Sequence, residues 1–394
     1  MFDIKSEVKS LEEEVISLRR DFHQNPELGY REFETSKKVK EYLSALGLED
    51  IKTVTKTGVT AILRGSKTGK TVMLRADMDA LPVEEKTGLP FASRNKGVMH
   101  ACGHDGHTAI QLVTAKILSR HKDELNGNVK FLFQPNEEEA GALNMINEGV
   151  LENPKVDGAF ALHLWSPIKT GHIGLSAGPI LGTTEEFELE IIGKSGHTSA
   201  PHEAKDALLG ACSVVTAVQS LGTREFNPLY PIAVMFGFIN GGTARNIITD
   251  SVKLGGTIRF LFPDEKINKP KVLEAFERVI KGTCISLGLN YKLKFIPSNP
   301  SLVNDSEMTE IVRKSSAEVF GRTDNIDEFK SLAGEDFAEF SQRVPSVMTW
   351  VGIADHGIKT DFPHHHAQFD IDESMLIKGV ELQVRNVLNY LNGN

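Results

Sequence analysis

The chain has 394 residues, of which 40% are hydrophobic and 25% charged, and its formal net charge is −9. Such a length predicts two domains, and such a composition is typical of a globular protein. The acidic balance argues against a nucleic-acid or anionic-membrane partner, because binding to phosphates needs clustered lysine and arginine. The first residues are acidic and amphipathic, and no apolar run approaches the roughly 20 residues of a membrane span, so we expect a cytoplasmic protein.

The amino-terminal part of the chain alternates predicted helices and strands. Apolar residues at three- and four-residue intervals predict an opening helix from Val8 to Phe22, which Asn25-Pro26 ends. The next predicted elements are a helix over 32–46, strands over 59–64 and 71–76 joined by a turn, a helix over 105–119, a strand over 128–133, a short helix over 138–148 and a strand over 157–162. This alternation predicts a sheet with helices on its faces.

A different pattern begins after Gly178-Pro179. Strands are predicted over 184–192, 232–239, 248–260 and 290–296, and helices over 204–221 and 268–286. The resulting order, β-α-β-β-α-β, is the ferredoxin-like arrangement. Because helical material follows, we expect residues 181–296 to be a domain inserted between 1–180 and 297–394, which together form the other domain.

The segment Met99–His107, MHACGHDGH, concentrates side chains that bind metals. Thiolate and imidazole hold borderline-soft divalent ions, so Cys102 and His104 are the first candidate ligands. His107 lies on the same face of the following predicted helix, where it could orient a ligand or only cap the helix. Cys212 and Cys284 lie in apolar helical stretches, so the cysteines predict no disulfide framework.

Further candidates follow the ends of predicted strands, where ligands bind in open α/β sheets. Asp77 and Asp79 follow one strand and could bind a metal, orient an imidazole or cap a turn. The run Glu137–Glu139 follows another, and adjacent carboxylates there could provide one ligand and one general base, although such a run is usually a solvated face. His163 ends a third strand, as a ligand or as a core histidine.

Three other segments carry candidate side chains. The histidines His364–His366 are consecutive, so they cannot all face one point, and the residues alone do not choose among them. The loop Gly196–His202 could supply a contact to the oxyanion or substrate, or its histidines could cap the next helix. Arg245-Asn246 and Arg259 are candidate anchors for a substrate carboxylate.

Several motifs, in this order along the chain, resemble those of metal-dependent amidohydrolases and peptidases of the aminoacylase, carboxypeptidase and hippurate hydrolase type. They are LRADMDALPV, MHACGHD, FQPNEEE, ALHLW, GKSGHTSAPH, ARNIITD, GTIR, GEDF and HHHAQFDIDE. The resemblance spans nearly the whole chain. It implies an α/β fold, with a catalytic domain built on a central mixed sheet flanked by helices. It also implies that the inserted ferredoxin-like α+β domain serves as a lid and dimerisation domain, through which a homodimer or homotetramer forms.

The resemblance also implies roles for individual residues. The implied metal ligands are Cys102, His104, Glu138, His163 and His365. Cys102 is placed to bridge two ions, and His365 is chosen because the family histidine precedes the motif phenylalanine, here Phe369, by four residues. Glu137 matches the general base, and His197 matches a lid histidine that helps to polarise the scissile carbonyl.

The remaining site residues are supporting ones. Asn246 matches a substrate-contacting asparagine, with Arg245 beside it, and Asp79 and Asp105 are expected to orient the ligands. The chain departs from the family pattern at Asn136, where alanine is common, and at Ala367, where proline or another small residue is usual.

The expected function is therefore metal-dependent hydrolysis of an amide bond next to a free carboxylate, in N-acyl-L-amino acids or short peptides. We expect two divalent ions per subunit; thiolate and imidazole favour zinc, and manganese, cobalt and nickel also fit. The first alternative is a non-catalytic metal-binding oligomeric protein, in which Glu137 would have no use. A serine hydrolase built on Gly174–Gly178, GLSAG, is the weakest interpretation, because the following Gly178-Pro179 cannot begin the required helix well.

Overall fold

A computed structural model of the protein describes residues 2–393; Met1 and Asn394, the outer limits of the predicted domains, lie outside the described residues. The α-helices are α1 (Ile4–Lys9), α2 (Glu12–Gln24), α3 (Phe33–Ala45), α4 (His104–Arg120), α5 (Ala142–Asn147), α6 (Ala207–Val218), α7 (Glu265–Leu287), α8 (Ser306–Phe320), α9 (Ala338–Ser341) and α10 (Ser374–Asn392). None of the helices within residues 2–393 has the length and apolar character that crossing a membrane requires.

The strands range from two residues to a dozen. They are β1 (Glu49–Val54), β2 (Gly58–Arg64), β3 (Lys67–Asp77), β4 (Asn126–Gln134), β5 (Gly158–Lys169), β6 (Ile173–Gly174), β7 (Gly178–Leu181), β8 (Thr183–Ile192), β9 (Gly196–His197), β10 (Ile232–Gly241), β11 (Ile247–Ile248), β12 (Ser251–Phe260), β13 (Asn290–Pro297), β14 (Leu302–Asn304), β15 (Ile326–Asp327) and β16 (Ser346–Ala354). The chain divides into two compact units. The first comprises Met1–Gly178, Val303–Phe329 and Glu335–Asn394, and the second comprises Pro179–Leu302 and Lys330–Gly334.

The first unit is built on a mixed sheet with the strand order β1-β2-β4-β3-β5-β16-β6-β15 in the described part of the chain. Strand β3 runs parallel to β4 and to β5, and β16 runs parallel to β5, while β2 is antiparallel to its neighbours. The second half of β3 is buried throughout, as expected of a parallel strand covered on both faces. Helices α4 and α10 pack against each other and against β3. The predicted mixed sheet flanked by helices is confirmed.

Local structure departs from the sequence predictions at several points in this unit. The single helix predicted over Val8–Phe22 is divided: α1 ends at Lys9, the backbone of Leu11 leaves the helical conformation with a φ of −111°, and α2 begins at Glu12. Strands β2 and β3 are consecutive but do not pair, since β4 lies between them. Strand β1 was missed because it is mostly exposed and lacks an apolar alternation.

The predicted end of the strand over 157–162, next to His163, was also wrong. Strand β5 continues to Lys169 instead of ending at Leu162, so His163 lies within the strand. However, β3 pairs with β5 only as far as Arg75 opposite Ala161, and β3 itself ends at Asp77. His163 therefore lies near the level at which the neighbouring strand stops, and its side chain still reaches the sheet edge where the other candidates lie.

The second unit has the predicted element order, β8-α6-β10-β12-α7-β13. Its antiparallel sheet has the strand order β10-β12-β8-β13, and α6 and α7 pack on each other over a core that includes Phe187 and Phe276. The strand predicted over 248–260 is interrupted: Ile247–Ile248 pairs with Gly196–His197, and a separate strand begins at Ser251. Strand β10 is an edge strand of the described sheet.

Candidate metal centre

His104 is the first residue of α4 and is oriented by the backbone of a neighbouring segment. The helix begins after Gly103, whose φ of 94° is a left-handed conformation suited to glycine. The His104 Nδ1 atom lies 2.9 Å from the carbonyl oxygen of Asp79. A carbonyl can only accept, so Nδ1 carries a proton, and Nε2 is the ring nitrogen that remains for a metal ion. Nε2 is buried and has no hydrogen-bond partner among the described residues, which leaves it free to bind a metal ion.

His163 is oriented in the same way and faces the thiol. Its Nδ1 donates to the carbonyl oxygen of Leu164 at 2.8 Å, and its Nε2 lies 3.6 Å from the Sγ atom of Cys102. Burial lowers the pKa of His163 well below its usual value, and the nearby rings of His107 and His364 lower it further. The imidazole is therefore neutral and offers Nε2 as a ligand atom. Burial also raises the pKa of the Cys102 thiol.

The structure separates the consecutive histidines, and among the described residues His365 is the one of the three whose ring belongs to a group of potential ligand atoms. Its Nε2 is 3.3 Å from Oε1 of Glu138, and its φ of 65° is left-handed, with its backbone N–H donating to the carbonyl oxygen of Ala101. His364 instead donates from Nε2 to the Leu164 carbonyl oxygen and stacks on a neighbouring indole. His366 stacks on a phenylalanine ring. The residues alone left this choice open, and the fold places His365 nearest to the candidate carboxylate.

The ligand atoms of these residues form overlapping groups. Within each group, the potential ligand atoms lie within 4.8 Å of one another. The three groups that combine predicted ligands are Cys102–His104–His163, Cys102–Glu138–His365 and His104–Glu137–Glu138; two further groups of described residues are Asp77–His104–His107 and Glu137–Glu335–Asp336. Thiolate, imidazole and carboxylate are the donors that suit zinc and its neighbours among the divalent metals. Together with the unpaired Nε2 of His104, this donor set fits a metal centre, and the two groups that share Cys102 fit a pair of ions.

Glu137 belongs to the third of these groups and begins the 3-10 turn Glu137–Glu139. Its Oε2 is 3.9 Å from Nε2 of His104. Burial raises its pKa well above the usual range, and the carboxylates of Glu335 and Asp336 raise it further. In its ionised form, a carboxylate with a raised pKa is a stronger base than an ordinary carboxylate, which favours removal of a proton from water.

The aspartates predicted to support the ligands lie in different places. Asp79 contacts two candidates, because its carbonyl oxygen accepts from His104 and its Oδ2 accepts from the backbone N–H of Glu138 at 3.2 Å. Asp105 instead accepts hydrogen bonds at 2.8 Å from the buried side chains of Arg19 and His23. Its carboxylate therefore braces the first turn of α4 against α2.

His107 holds the backbone instead of offering a free nitrogen. Its Nδ1 donates to Oδ1 of Asp77 at 2.6 Å, and its Nε2 accepts from the backbone N–H of Leu164 at 2.8 Å. Since both ring nitrogens are engaged, His107 is poorly suited to bind an ion. It connects the end of β3 to the strand that carries His163.

The candidates in the inserted segment lie in the second unit. His197 is exposed, and it pairs across the β9–β11 ladder with Ile247, the residue after Asn246. The carbonyl oxygen of Asn246 accepts from the backbone N–H of Thr198 at 3.3 Å, so His197 and Asn246 are local neighbours. Arg245 is exposed beside them. Arg259 donates to the carbonyl oxygen of Leu332, which is a structural contact.

The GLSAG segment does not form a nucleophile elbow. Gly174 is the last residue of the short strand β6, and Gly178 is the first residue of β7. A strand therefore follows the motif where a nucleophile elbow needs a helix. The Ser176 hydroxyl oxygen accepts from the backbone N–H of Phe329 at 3.0 Å. Ser176 is a structural residue, which removes the basis for the serine hydrolase interpretation.

Comparison with known proteins agrees with this geometry. The sequence profile of Peptidase family M20/M25/M40 matches residues 73–389. The chain belongs to this family. It is 38% identical over 390 residues to an N-acetyl-L-cysteine deacetylase of Bacillus subtilis (strain 168), covering 98% of this chain and 90% of the relative. It is also 38% identical over 383 residues to thermostable carboxypeptidase 2 of Saccharolobus solfataricus, covering 95% of each.

A solved structure is similar over almost the full length. It is a Bacillus subtilis protein described as a dinuclear metal binding peptidase from the M20 family, with a TM-score of 0.85 and 32% identity, covering 98% of this chain and 99% of that one. The predicted family and the prediction of an enzyme are confirmed: the chain is an M20 amidohydrolase or peptidase.

Arg75 is a buried cation that supports this M20 site and that no sequence motif had singled out. Arg75, in β3, is fully buried and pairs with Asp77 at 2.6 Å, Glu335 at 3.0 Å and Asp336 at 2.9 Å. Through Asp77, this cluster holds His107, and through Glu335 and Asp336 it contacts the surroundings of Glu137. An arginine inside the apolar strand VMLRA was the available signal, because a buried charge requires partners.

Proposed function

We propose that this chain hydrolyses an amide bond next to a free carboxylate, in N-acyl-L-amino acids or in short peptides cut from the carboxyl end. The observation that carries the proposal is the pair of donor groups that share Cys102, with Glu137 3.9 Å from His104. The names of the similar proteins, a deacetylase and a carboxypeptidase, support both kinds of substrate.

The residues that would hold two divalent ions are Cys102, His104, Glu138, His163 and His365. Cys102 belongs to two of the donor groups, so it is the residue proposed to bridge the ions. Zinc is the favoured metal because the donors include a thiolate and imidazoles, with manganese, cobalt or nickel as alternatives. When bound, such ions lower the pKa of a water molecule and polarise a carbonyl oxygen.

Glu137 is proposed to move the proton. Its carboxylate takes a proton from the attacking water and later returns it to the nitrogen of the leaving amine. Its raised pKa makes the ionised carboxylate a stronger base than one of ordinary acidity, which favours the first of these steps. Asp79 fixes the ring of His104 and the backbone at Glu138, and therefore keeps the candidate ligands aligned beside the base.

The second unit contains residues 181–296, the predicted inserted domain, and is proposed to act as a lid, as the resemblance implies. His197 would stabilise the developing oxyanion, and Asn246 with Arg245 would bind the substrate carboxylate. All three side chains are exposed, and the pairing of β9 with β11 keeps His197 close to the segment that contains Arg245 and Asn246. Both observations support this role, because exposed neighbouring side chains are available to a substrate. A cytoplasmic location remains a prediction from the sequence.

An assay of amino-acid release from N-acetyl-, N-benzoyl- and dipeptide substrates, with and without a chelator, tests the proposal. We expect release that the chelator abolishes and that one added metal ion restores. Metal analysis of the same preparation identifies the bound ion. Turnover that persists in the chelator would contradict the metal centre, and metal binding without any turnover across the panel would favour a non-catalytic role.

Self-association through the second unit gives a separate prediction. Met235 and Phe238, on the edge strand β10, are 63% and 47% exposed, and Leu208 and Leu209 on α6 are also exposed. An apolar edge strand of this kind pairs readily with another strand. We therefore propose that a second copy of the chain covers it, forming a dimer or tetramer.

Phe238→Lys is expected to convert this oligomer to monomers, which light scattering after gel filtration would measure. Ile285→Lys is the matched control, because Ile285 is 67% exposed on α7 of the same unit. A wild-type protein that is already monomeric, or an oligomer that survives Phe238→Lys, would exclude this strand as the interface.

A further inference from the structure

The glutamate Glu32, which no sequence motif singled out, is buried beneath the loop that carries the proposed base. It is 0% exposed and lies just before α3. One oxygen, Oε1, accepts from the backbone N–H of Asn136 at 3.0 Å, and the other, Oε2, accepts from the Thr57 hydroxyl at 2.6 Å. The carboxylate therefore joins the turn before β2 to the residue that immediately precedes Glu137.

The backbone of Asn136 defines the turn. Its φ of 56° and ψ of 42° are left-handed, a conformation that asparagine adopts more readily than most side chains other than glycine. Its carbonyl oxygen accepts from the backbone N–H of Gly141 at 2.8 Å, so the turn closes on this residue. The direction in which Glu137 leaves the turn is set at Asn136, since the two residues are adjacent.

The side chain of Asn136 adds a second constraint from the same segment. A Cβ atom on Gly29 would lie 2.0 Å from Oδ1 of Asn136, so the amide packs directly against the glycine backbone. Gly29 and Glu32 thus hold Asn136 from one side, through packing and through a hydrogen bond to its N–H. Asparagine stands here where the family commonly has alanine, so this chain fills the space with a larger, polar side chain.

Burial of Glu32 is energetically unfavourable by itself. It forms no ion pair with a lysine, arginine or histidine of the described residues, and burial raises its pKa to about 7. A carboxylate without a cationic partner in an apolar environment is retained where its hydrogen bonds are needed. Both of its hydrogen bonds go to loops, and one of those loops carries Glu137.

We propose that Glu32 is a positioning residue: by holding the N–H of Asn136 it fixes the left-handed turn that directs Glu137 towards the substrate. The inference rests on the proposed role of Glu137. It predicts that loss of Glu32 lowers kcat and leaves the candidate metal ligands in place, because Glu32 contacts none of them and the backbone N–H of Glu138, in the same turn, is held separately by Asp79.

Three variants test this. Glu32→Ala removes both acceptors, and we expect kcat to fall about 100-fold with little change in KM, since a displacement of about 1 Å at a catalytic group costs that much. Glu32→Gln retains an acceptor for Asn136 and a polar contact to Thr57, so it should restore most of kcat. Thr57→Val removes only the hydroxyl that donates to Glu32, so its kcat should fall by a smaller factor. This variant replaces Glu32→Ala as the test if Glu32→Ala does not fold.

Glu27→Ala is the matched control. Glu27 belongs to the same segment, but its carboxylate accepts from the N–H groups of Glu34 and Thr35 and caps α3. This variant should lower the melting temperature and leave kcat unchanged. A general loss of stability would affect both variants, whereas a positioning role predicts a loss of kcat for Glu32→Ala only.

A measurement that does not depend on turnover separates this inference from the proposed function. Amide hydrogen exchange of residues 135–141 should accelerate in Glu32→Ala and not in Glu27→Ala, with metal content equal to wild type in both. Faster exchange in Glu32→Ala, together with a wild-type protein that shows no turnover, would contradict the proposed function alone. Unchanged exchange, or unchanged kcat in an active enzyme, would overturn the role of Glu32.

Discussion

Replacement of Glu137 by glutamine is expected to lower kcat by about 10²–10⁴-fold, the range that a positioned general base contributes. Glutamine has nearly the same shape, so the 3-10 turn and the neighbouring ligand candidates should keep their places. It cannot accept the proton of the attacking water, and therefore the chemical step is lost while substrate binding persists. Initial rates over a range of substrate concentrations measure kcat and KM separately.

The control for this variant lies two positions along the chain. Glu139→Gln makes the same chemical change at a glutamate of the same run that is exposed to solvent. It should retain the wild-type kcat, and both variants should bind the wild-type amount of metal. Glu137→Gln with an unaltered kcat would remove Glu137 from the role of base, and a loss of metal would make Glu137 a ligand instead.

Much of the candidate site could be predicted because its residues are concentrated in short motifs. Cys102 and His104 stand in one turn, and Glu137 and Glu138 follow an apolar strand, so local patterns marked them as candidates and the family resemblance assigned their individual roles. Their convergence followed from a general rule, that ligands bind at the carboxyl ends of strands in α/β sheets. The rule held even at His163, where the strand continues, since the neighbouring β3 ends near the same level.

Other parts of the site depend on contacts between distant segments, which no local pattern encodes. Arg75 pairs with Glu335 and Asp336, 260 and 261 positions away. Glu32 meets Asn136 across 104 positions. His365 was chosen through the family resemblance, because three consecutive histidines give no indication by themselves of which one has the left-handed backbone observed at His365. These features appear only when the chain has folded, because they arise from packing instead of periodicity.

Loss of metal is the expected result of Cys102→Ala. Cys102 is the one residue shared by the groups Cys102–His104–His163 and Cys102–Glu138–His365, so its removal takes a donor from both. Even the loss of a residue that only orients a ligand costs about 10–100-fold in metal affinity, and the loss of a bridging donor should cost at least about 100-fold. Metal analysis of the purified variant and competition with a chromophoric chelator measure this directly, and turnover should fall with it.

Cys284→Ala separates this effect from the removal of a buried thiol in general. Cys284 is also buried, at 1% exposure in the core of the second unit, but it belongs to none of the donor groups among the described residues. Its loss should lower stability slightly through a small cavity and leave metal content unchanged. Because both variants delete one sulfur from a buried position, only ligation by Cys102 predicts that they differ in metal content. A Cys102→Ala protein with the wild-type stoichiometry and affinity would show that the thiolate does not bridge the ions, and the donor set would then reduce to imidazoles and a carboxylate.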